Sequence, residues 1–87
     1  GYSFDQITPA GPVHLSMLNN PSHLESVNPL VMGRARARQD AASAEGRDGR
    51  REIAALLIHG DAAVIGQGVV AECINMSYLE GYHVGGT

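Results

Sequence analysis

The sequence predicts an α/β fold, a parallel sheet with flanking helices, and three observations carry that expectation. Ile53-Ala54-Ala55-Leu56-Leu57-Ile58 is an unbroken apolar run of strand length, the pattern of a strand covered on both faces. Helical patterns lie on either side of it, one opened by Asn28-Pro29 and one running from Gly66 to Leu79. The resulting order of strand, helix, connection, strand, helix is that of layered α/β proteins.

The chain opens with residues rich in Gly, Pro and Thr, read as a loop that ends at Gly11-Pro12. Val13-His14-Leu15-Ser16-Met17 alternates apolar and polar residues, which is the period of a strand, and Asn19-Asn20-Pro21-Ser22 breaks it with turn formers. Asn28 can cap the free amides of a helix that Pro29 suits at its first position; the helix is expected to run from Pro29 to Gln39. Arg34, Arg36 and Arg38 alternate within it and fan over a broad solvated face. Asp40 to Arg51 is small, polar and charged, and reads as a surface connection. In the second helix Val69, Val70, Cys73, Ile74 and Met76 can share one face, with Gly81 as C-cap.

Composition bounds the function. The 87 residues carry a net charge of −3, with 44% hydrophobic and 17% charged residues, an ordinary globular balance. A chain of this size can bury roughly 60% of its unfolded surface. No apolar run approaches the roughly 18 residues of a membrane span, and the N-terminus lacks a signal-peptide pattern. One cysteine, Cys73, makes no internal disulfide, so a reducing compartment is expected. Mild acidity argues against a nucleic-acid partner, although all six basic residues are Arg. The first residue is not Met and the last four, Val84 to Thr87, read as the entry to another strand. An internal piece of a larger chain is therefore expected, with no complete domain in residues 1–87.

The chemistry concentrates after the apolar run. In open α/β sheets ligands bind beyond the carboxyl ends of the strands, where this sequence places His59-Gly60-Asp61-Ala62-Ala63. Asp61 offers an oxygen to a hard cation, and Mg²⁺ typically takes one or two carboxylates with waters and phosphates. Ala62 and Ala63 let a bulky anion approach the backbone, and Gly66-Gln67-Gly68 opens a helix whose free amides favour a phosphate. The bland alternative is that Asp61 only caps a helix.

Other motifs are weaker. Gly66-Gln67-Gly68-Val69-Val70-Ala71 fits the dinucleotide fingerprint G-x-G-x-x-A, but does not follow its strand directly and lacks an acidic residue about 20 positions on. A Walker A loop is excluded because the chain has no Lys. His14, His23, His59 and His83 lack zinc-site spacing. His14 and His83 read as surface or strand residues, whereas His23 and His59 each adjoin a turn expected near the same sheet edge. Cys73 reads as inert packing.

Two stretches in order, Asn20-Pro21-Ser22-His23-Leu24-Glu25 and His59-Gly60-Asp61-Ala62-Ala63 with Gly66-Gln67-Gly68-Val69-Val70, resemble the thiamine-diphosphate-dependent E1 family of the 2-oxoglutarate dehydrogenase complex. The likeness covers essentially the whole chain, including Arg36-Ala37-Arg38-Gln39-Asp40 and Gly85-Gly86-Thr87. It implies a fragment of a thiamine-diphosphate-binding domain in which Asp61 coordinates Mg²⁺ and Ala62 and Ala63 lie against the diphosphate. Ser22 and Leu24 match positions that contact the cofactor and the substrate end of the pocket. It further implies that the family's catalytic histidines would precede Gly1, and that an Asn pair, the later member being the second metal ligand, would follow Thr87.

The implied activity is oxidative decarboxylation of 2-oxoglutarate in the tricarboxylic acid cycle, with transfer of the succinyl group to the lipoyl group of an E2 partner. A homodimer and an E3 partner are implied as well, in the bacterial cytoplasm or the mitochondrial matrix. The alternatives are a 2-oxoadipate dehydrogenase E1, an NAD-binding module built on Gly66-Gln67-Gly68, and a non-catalytic relic of the fold.

Overall fold

The computed structural model describes residues 1–19 and 24–87. The first nineteen residues hold a hairpin, not the loop expected for the opening twelve. β1 (Tyr2–Thr8) pairs antiparallel with β2 (Gly11–Met17). Its register puts Tyr2 opposite Met17, Phe4 opposite Leu15 and Gln6 opposite Val13, so one face is mainly apolar toward the open end of the hairpin. The other face is polar, and on it Asp5 accepts a hydrogen bond from His14 Nδ1 at 2.6 Å. The turn closes through Thr8, whose hydroxyl donates to the Gly11 carbonyl at 2.7 Å, and Gly11 takes a left-handed φ of +110° that favours glycine. Polar and apolar residues of β1 alternate from Tyr2 to Asp5 and then slip at Gln6-Ile7; the Gly and Pro around residues 9–12 mark the turn between strands.

α1 (Asn28–Ala44) is longer than the expected 29–39. Its buried residues Asn28, Met32, Ala35, Gln39 and Ala42 recur every three or four positions, one stripe along the helix. Pro29 stands in the first turn as expected, but Asn28 does not cap it. Val27 is the N-cap, and the Asn28 amide turns back to Glu25 at 3.1 Å. The helix stops at Gly46, which has φ +82°. There Gly46 N–H donates to the Ser43 carbonyl and Arg47 N–H to that of Ala42, the double closure of a Schellman motif. The stretch expected to be a surface connection therefore contributes the last turn of α1 and then α2 (Gly49–Glu52). Within it Ala42 and Gly49 are buried.

The run from Ile53 to Ile58 carries no strand ladder among the described residues, whose one sheet is the hairpin. Its backbone leaves α2 in extended geometry at Ile53, φ −129° and ψ 124°. Ala55 is buried, whereas Leu56 and Ile58 are 76% and 90% exposed.

α3 (Asp61–Ile65) and α4 (Gly68–Met76) follow. α4 starts at Gly68, two residues after the Gly66 where the helical pattern begins, because Gly66 closes α3, and it ends at Met76 with Ser77 as its C-cap in place of Gly81. Cys73 is buried and Val69 and Met76 pack against the core, while Ile74 points outward at 58% exposure. The core is small: Met32 and Ala35 of α1, Ala55, Cys73 and Val84.

Two side chains of α1 tie it to the later segments. Gln39, 2% exposed, donates from Nε2 to the carbonyls of Ile53 and Val84, at 2.8 Å each. Arg36 donates to the carbonyls of Glu80 at 2.8 Å and His83 at 3.1 Å, and to Asp40 at 3.0 Å. Of the three alternating arginines, Arg36 is thus a structural clamp and not part of a solvated face.

Candidate metal and anion site

Gly60 leaves the extended run with φ −82° and ψ 142° and serves as the N-cap of α3, so Asp61 is the first residue of that helix. Asp61 Oδ1 accepts a hydrogen bond from the Ala62 amide at 2.8 Å, while the Gly60 carbonyl receives the amides of Ala63 and Val64. Among the described residues Asp61 makes no ion pair, and its carboxylate is exposed. Ala62 and Ala63 follow it on the same short turn, small and at most half-buried. A Cβ added at Gly60, Gly66 or Gly68 would meet nothing within 4 Å, so the backbone here stands open to a bulky ligand.

The second stretch lies just ahead of α1. Leu24 is 63% exposed and Glu25 is 5% exposed, and both take left-handed backbone, φ 45° and 75°. The Glu25 carboxylate receives the Asn28 amide on Oε2, and His59 Nδ1 meets the same oxygen. This contact brings Leu24-Glu25 beside His59-Gly60-Asp61. Ser22 and His23, with the Asn20-Pro21 turn, lie outside the described residues. The turn expected beside His23 lies with them; what the described residues show is a contact between His59 and Glu25, a residue that spacing alone did not single out. Leu-Glu with positive φ has no sequence signature, since left-handed backbone is normally signalled by Gly or Asn.

The competing motifs fare differently. Gly66 and Gly68 follow α3 and not a strand: Gly66 closes α3 and Gln67 is the N-cap of α4, which removes the strand-then-helix context a dinucleotide fingerprint needs. Among the described residues no three His, Cys, Asp or Glu side chains converge on a possible metal position. A metal here would draw on Asp61 alone, with ligands from outside the described residues. No helix of the described residues is long and apolar enough to cross a membrane. Cys73 is buried and burial pushes its thiol pKa up, with the nearby Glu72 charge adding to the shift, as inert packing requires.

Beside the site, the apolar face of the hairpin, α1 and residues 53–58 border an open cleft of about 530 Å³, lined by Tyr2, Phe4, Leu15, Val31, Arg34 and Leu56 among others.

Comparison with known proteins then fixes the lineage. The family model described as "Dehydrogenase E1 component" matches residues 9–84. The chain is 52% identical, across all of its length, to the 2-oxoglutarate dehydrogenase E1 component of Brucella anthropi. The same holds for the proteins of that name in Brucella ovis and Brucella canis. In each case it covers 9% of the relative, so the chain spans about a tenth of the length of the curated proteins it matches. A model match over most of the chain and an identity of 52% across all of it together place this chain in the dehydrogenase E1 component family.

Proposed function

We propose that these 87 residues are the part of a full-length 2-oxoglutarate dehydrogenase E1 that anchors the diphosphate of thiamine diphosphate and its Mg²⁺. The observation that carries this reading is the 52% identity along the whole chain to E1 components of that name. It is supported by the geometry of Asp61, an exposed carboxylate without an ion-pair partner among the described residues.

The donor set fits the group. Asp61 is one hard oxygen ligand beside open backbone, and Mg²⁺ is bound by one or two carboxylates while waters and phosphates complete its octahedron. A full protein cage is not required of this segment. In the proposed site Asp61 ligates the cation, Ala62 and Ala63 admit the diphosphate to the backbone, and Leu24 and Ser22 contact the cofactor at its other end. Thiamine diphosphate supplies the carbanion chemistry of decarboxylation when bound; the residues here bind, orient and leave proton transfers to groups elsewhere in the full chain.

The sheet is read the same way. Gln39 links the Ile53 carbonyl to that of Val84, and the Thr87 hydroxyl donates to the Ala55 carbonyl at 3.0 Å. Partner numbers rise together, 53 with 84 and 55 with 87, so the two segments run in the same direction. This supports a parallel sheet in the full domain, with 53–58 and the segment from residue 84 as neighbouring strands and Asp61 beyond a carboxyl end. The full enzyme is read as a homodimer that passes its acyl group to the lipoyl group of an E2, works with an E3, and resides in the bacterial cytoplasm or mitochondrial matrix.

Calorimetric titration of the full-length protein with thiamine diphosphate plus Mg²⁺, and separately with NAD, tests the reading. Mg²⁺-dependent binding of thiamine diphosphate is expected. NAD binding without it overturns the proposal. Turnover of 2-oxoglutarate in preference to 2-oxoadipate is expected of the same protein, and the reverse preference would reassign the substrate.

A further inference from the structure

Glu25 is a buried carboxylate in an unfavourable backbone conformation, and it contacts the residue two positions before the proposed metal ligand. Leu24 and Glu25 are successive residues with φ of 45° and 75°, a geometry that residues with a Cβ disfavour and that persists only where surrounding contacts over-determine it. Among the described residues those contacts include the Asn28 N–H, which donates to the Glu25 backbone carbonyl at 3.1 Å, and two contacts to its carboxylate. Asn28, 3% exposed at the start of α1, donates from Nδ2 to Glu25 Oε2 at 3.1 Å, and His59 Nδ1 reaches the same oxygen. Burying a carboxylate is unfavourable unless it is hydrogen-bonded. This one is 5% exposed, and it sits where α1 meets the exit of the extended run.

That exit is otherwise loosely held. Leu56 and Ile58 are largely exposed and Gly60 has no neighbour that a side chain could meet. Among the described residues no other side-chain hydrogen bond ties residues 56–60 to a distant segment. The direction in which Gly60-Asp61 turns into α3 is therefore set, relative to α1, through the His59 ring. A carboxylate that accepts from Nδ1–H fixes both the plane and the tautomer of an imidazole.

We infer that Glu25 is a positioning residue for Asp61, acting through His59 to aim the turn that carries the metal ligand. The inference rests on the reading of Asp61 as a Mg²⁺ ligand. Glu25 does not touch the metal; it holds the element on which the ligand is mounted, and loss of such outer support typically weakens metal affinity about 10–100-fold.

The test is a Mg²⁺ titration of the full-length protein at saturating thiamine diphosphate, with Glu25→Ala, His59→Ala, the double variant and Glu25→Gln. Each alanine variant is expected to bind Mg²⁺ about 10–100-fold more weakly, and the double variant no more weakly than the worse single one, because both cut one linkage. Glu25→Gln keeps an oxygen acceptor for Nδ1–H and is expected within about threefold of the parent. The cofactor-free melting temperature of Glu25→Gln should stay at the parent value, and that of His59→Ala should fall by less than its loss of Mg²⁺ affinity requires. Alanine variants with parental Mg²⁺ affinity overturn the inference, as does additive loss in the double variant. Loss of affinity that only tracks a lower cofactor-free melting temperature overturns it too, since that marks a purely structural role. If Glu25→Ala does not fold, His59→Ala and Glu25→Gln still decide. A parent protein that binds no thiamine diphosphate with Mg²⁺ instead removes the functional reading beneath it.

Discussion

His59 Nδ1 lies against the buried Glu25 carboxylate across 34 residues of sequence. Between those two residues the chain builds all of α1, α2 and the extended run, so the contact joins the two stretches that carry the family likeness. It does so at the start of α1, where Asn28 adds its amide to the same carboxylate oxygen. The joined edge leads directly to Asp61, and the predictions concerning the site radiate from it.

Asp61→Ala in the full-length protein should abolish Mg²⁺-dependent cofactor binding, weakening it by about 100-fold or more. The fold should survive, because the substitution removes one exposed hydrogen bond to the Ala62 amide, worth about 0.5–1 kcal/mol. Calorimetry and a cofactor-free melt measure the two effects separately. Unchanged affinity would show that Asp61 only caps α3.

Leu24→Gly separates strain from contact. Left-handed backbone is disfavoured by about 1–2 kcal/mol for a residue with a Cβ, so glycine at this exposed position should leave denaturant stability unchanged or higher. Affinity for thiamine diphosphate should fall if the Leu24 side chain contacts the cofactor. A chemical denaturation curve and a binding titration on one preparation give both answers.

Gly49→Ala should destabilise the protein by about 3 kcal/mol. A Cβ at Gly49 would stand 2.2 Å from the Gln39 carbonyl oxygen and 2.6 Å from its Cα. Both are backbone atoms of a helix, so relief requires α2 to move away from α1. The urea midpoint should drop without a change in slope.

Burial holds the Cys73 thiol above its ordinary value, so the folded state keeps this proton to higher pH than the unfolded state does. Its contribution to stability is complete below the unfolded thiol pKa and is lost as pH rises through that value toward the folded one. Alkylation of the peptide bearing Cys73, followed by mass spectrometry, should be slow in native protein at neutral pH and rapid in denaturant. Fast native labelling would contradict the burial.

The 87 residues expressed alone should show no cooperative melt. Their core consists of Met32, Ala35, Ala55, Cys73 and Val84, and burying a large apolar side chain contributes only about 1.5–3 kcal/mol each. Leu56, Ile58 and Ile65 contribute nothing while they remain in solvent. A sharp transition by circular dichroism would contradict this.

What the sequence made legible were the features with local causes. Alternation from Val13 to Met17 marked β2, Asn28-Pro29 marked the start of α1 to within a residue, and apolar spacing marked α4. Asp61-Ala62-Ala63 stood out as an acid and two small residues after an apolar run, a pattern that also suits the helix start found there. Features settled by distant partners were hidden. Asp40 to Ala44 reads as polar surface, yet it continues α1 because Gly46, not Gln39, supplies the left-handed stop. Glu25 looks like any surface acid until its φ of 75° and its contact with His59 are seen. Residues 53–58 carry the composition of a strand, but composition cannot create a ladder without a neighbour to pair with. Arg36 was legible as a charge and not as a clamp, since its acceptors are backbone carbonyls 44 and 47 residues away.

The Gln39 amide nitrogen reaches the carbonyl oxygens of Ile53 and Val84 at 2.8 Å each. Those two oxygens can therefore be no further apart than twice that length. A single side chain thus acts as a staple: one amide group on the helix holds two later segments beside each other. Because chains fold from the N-terminus during synthesis, α1 emerges before either of them. Each segment it joins is therefore made after the amide that will hold it.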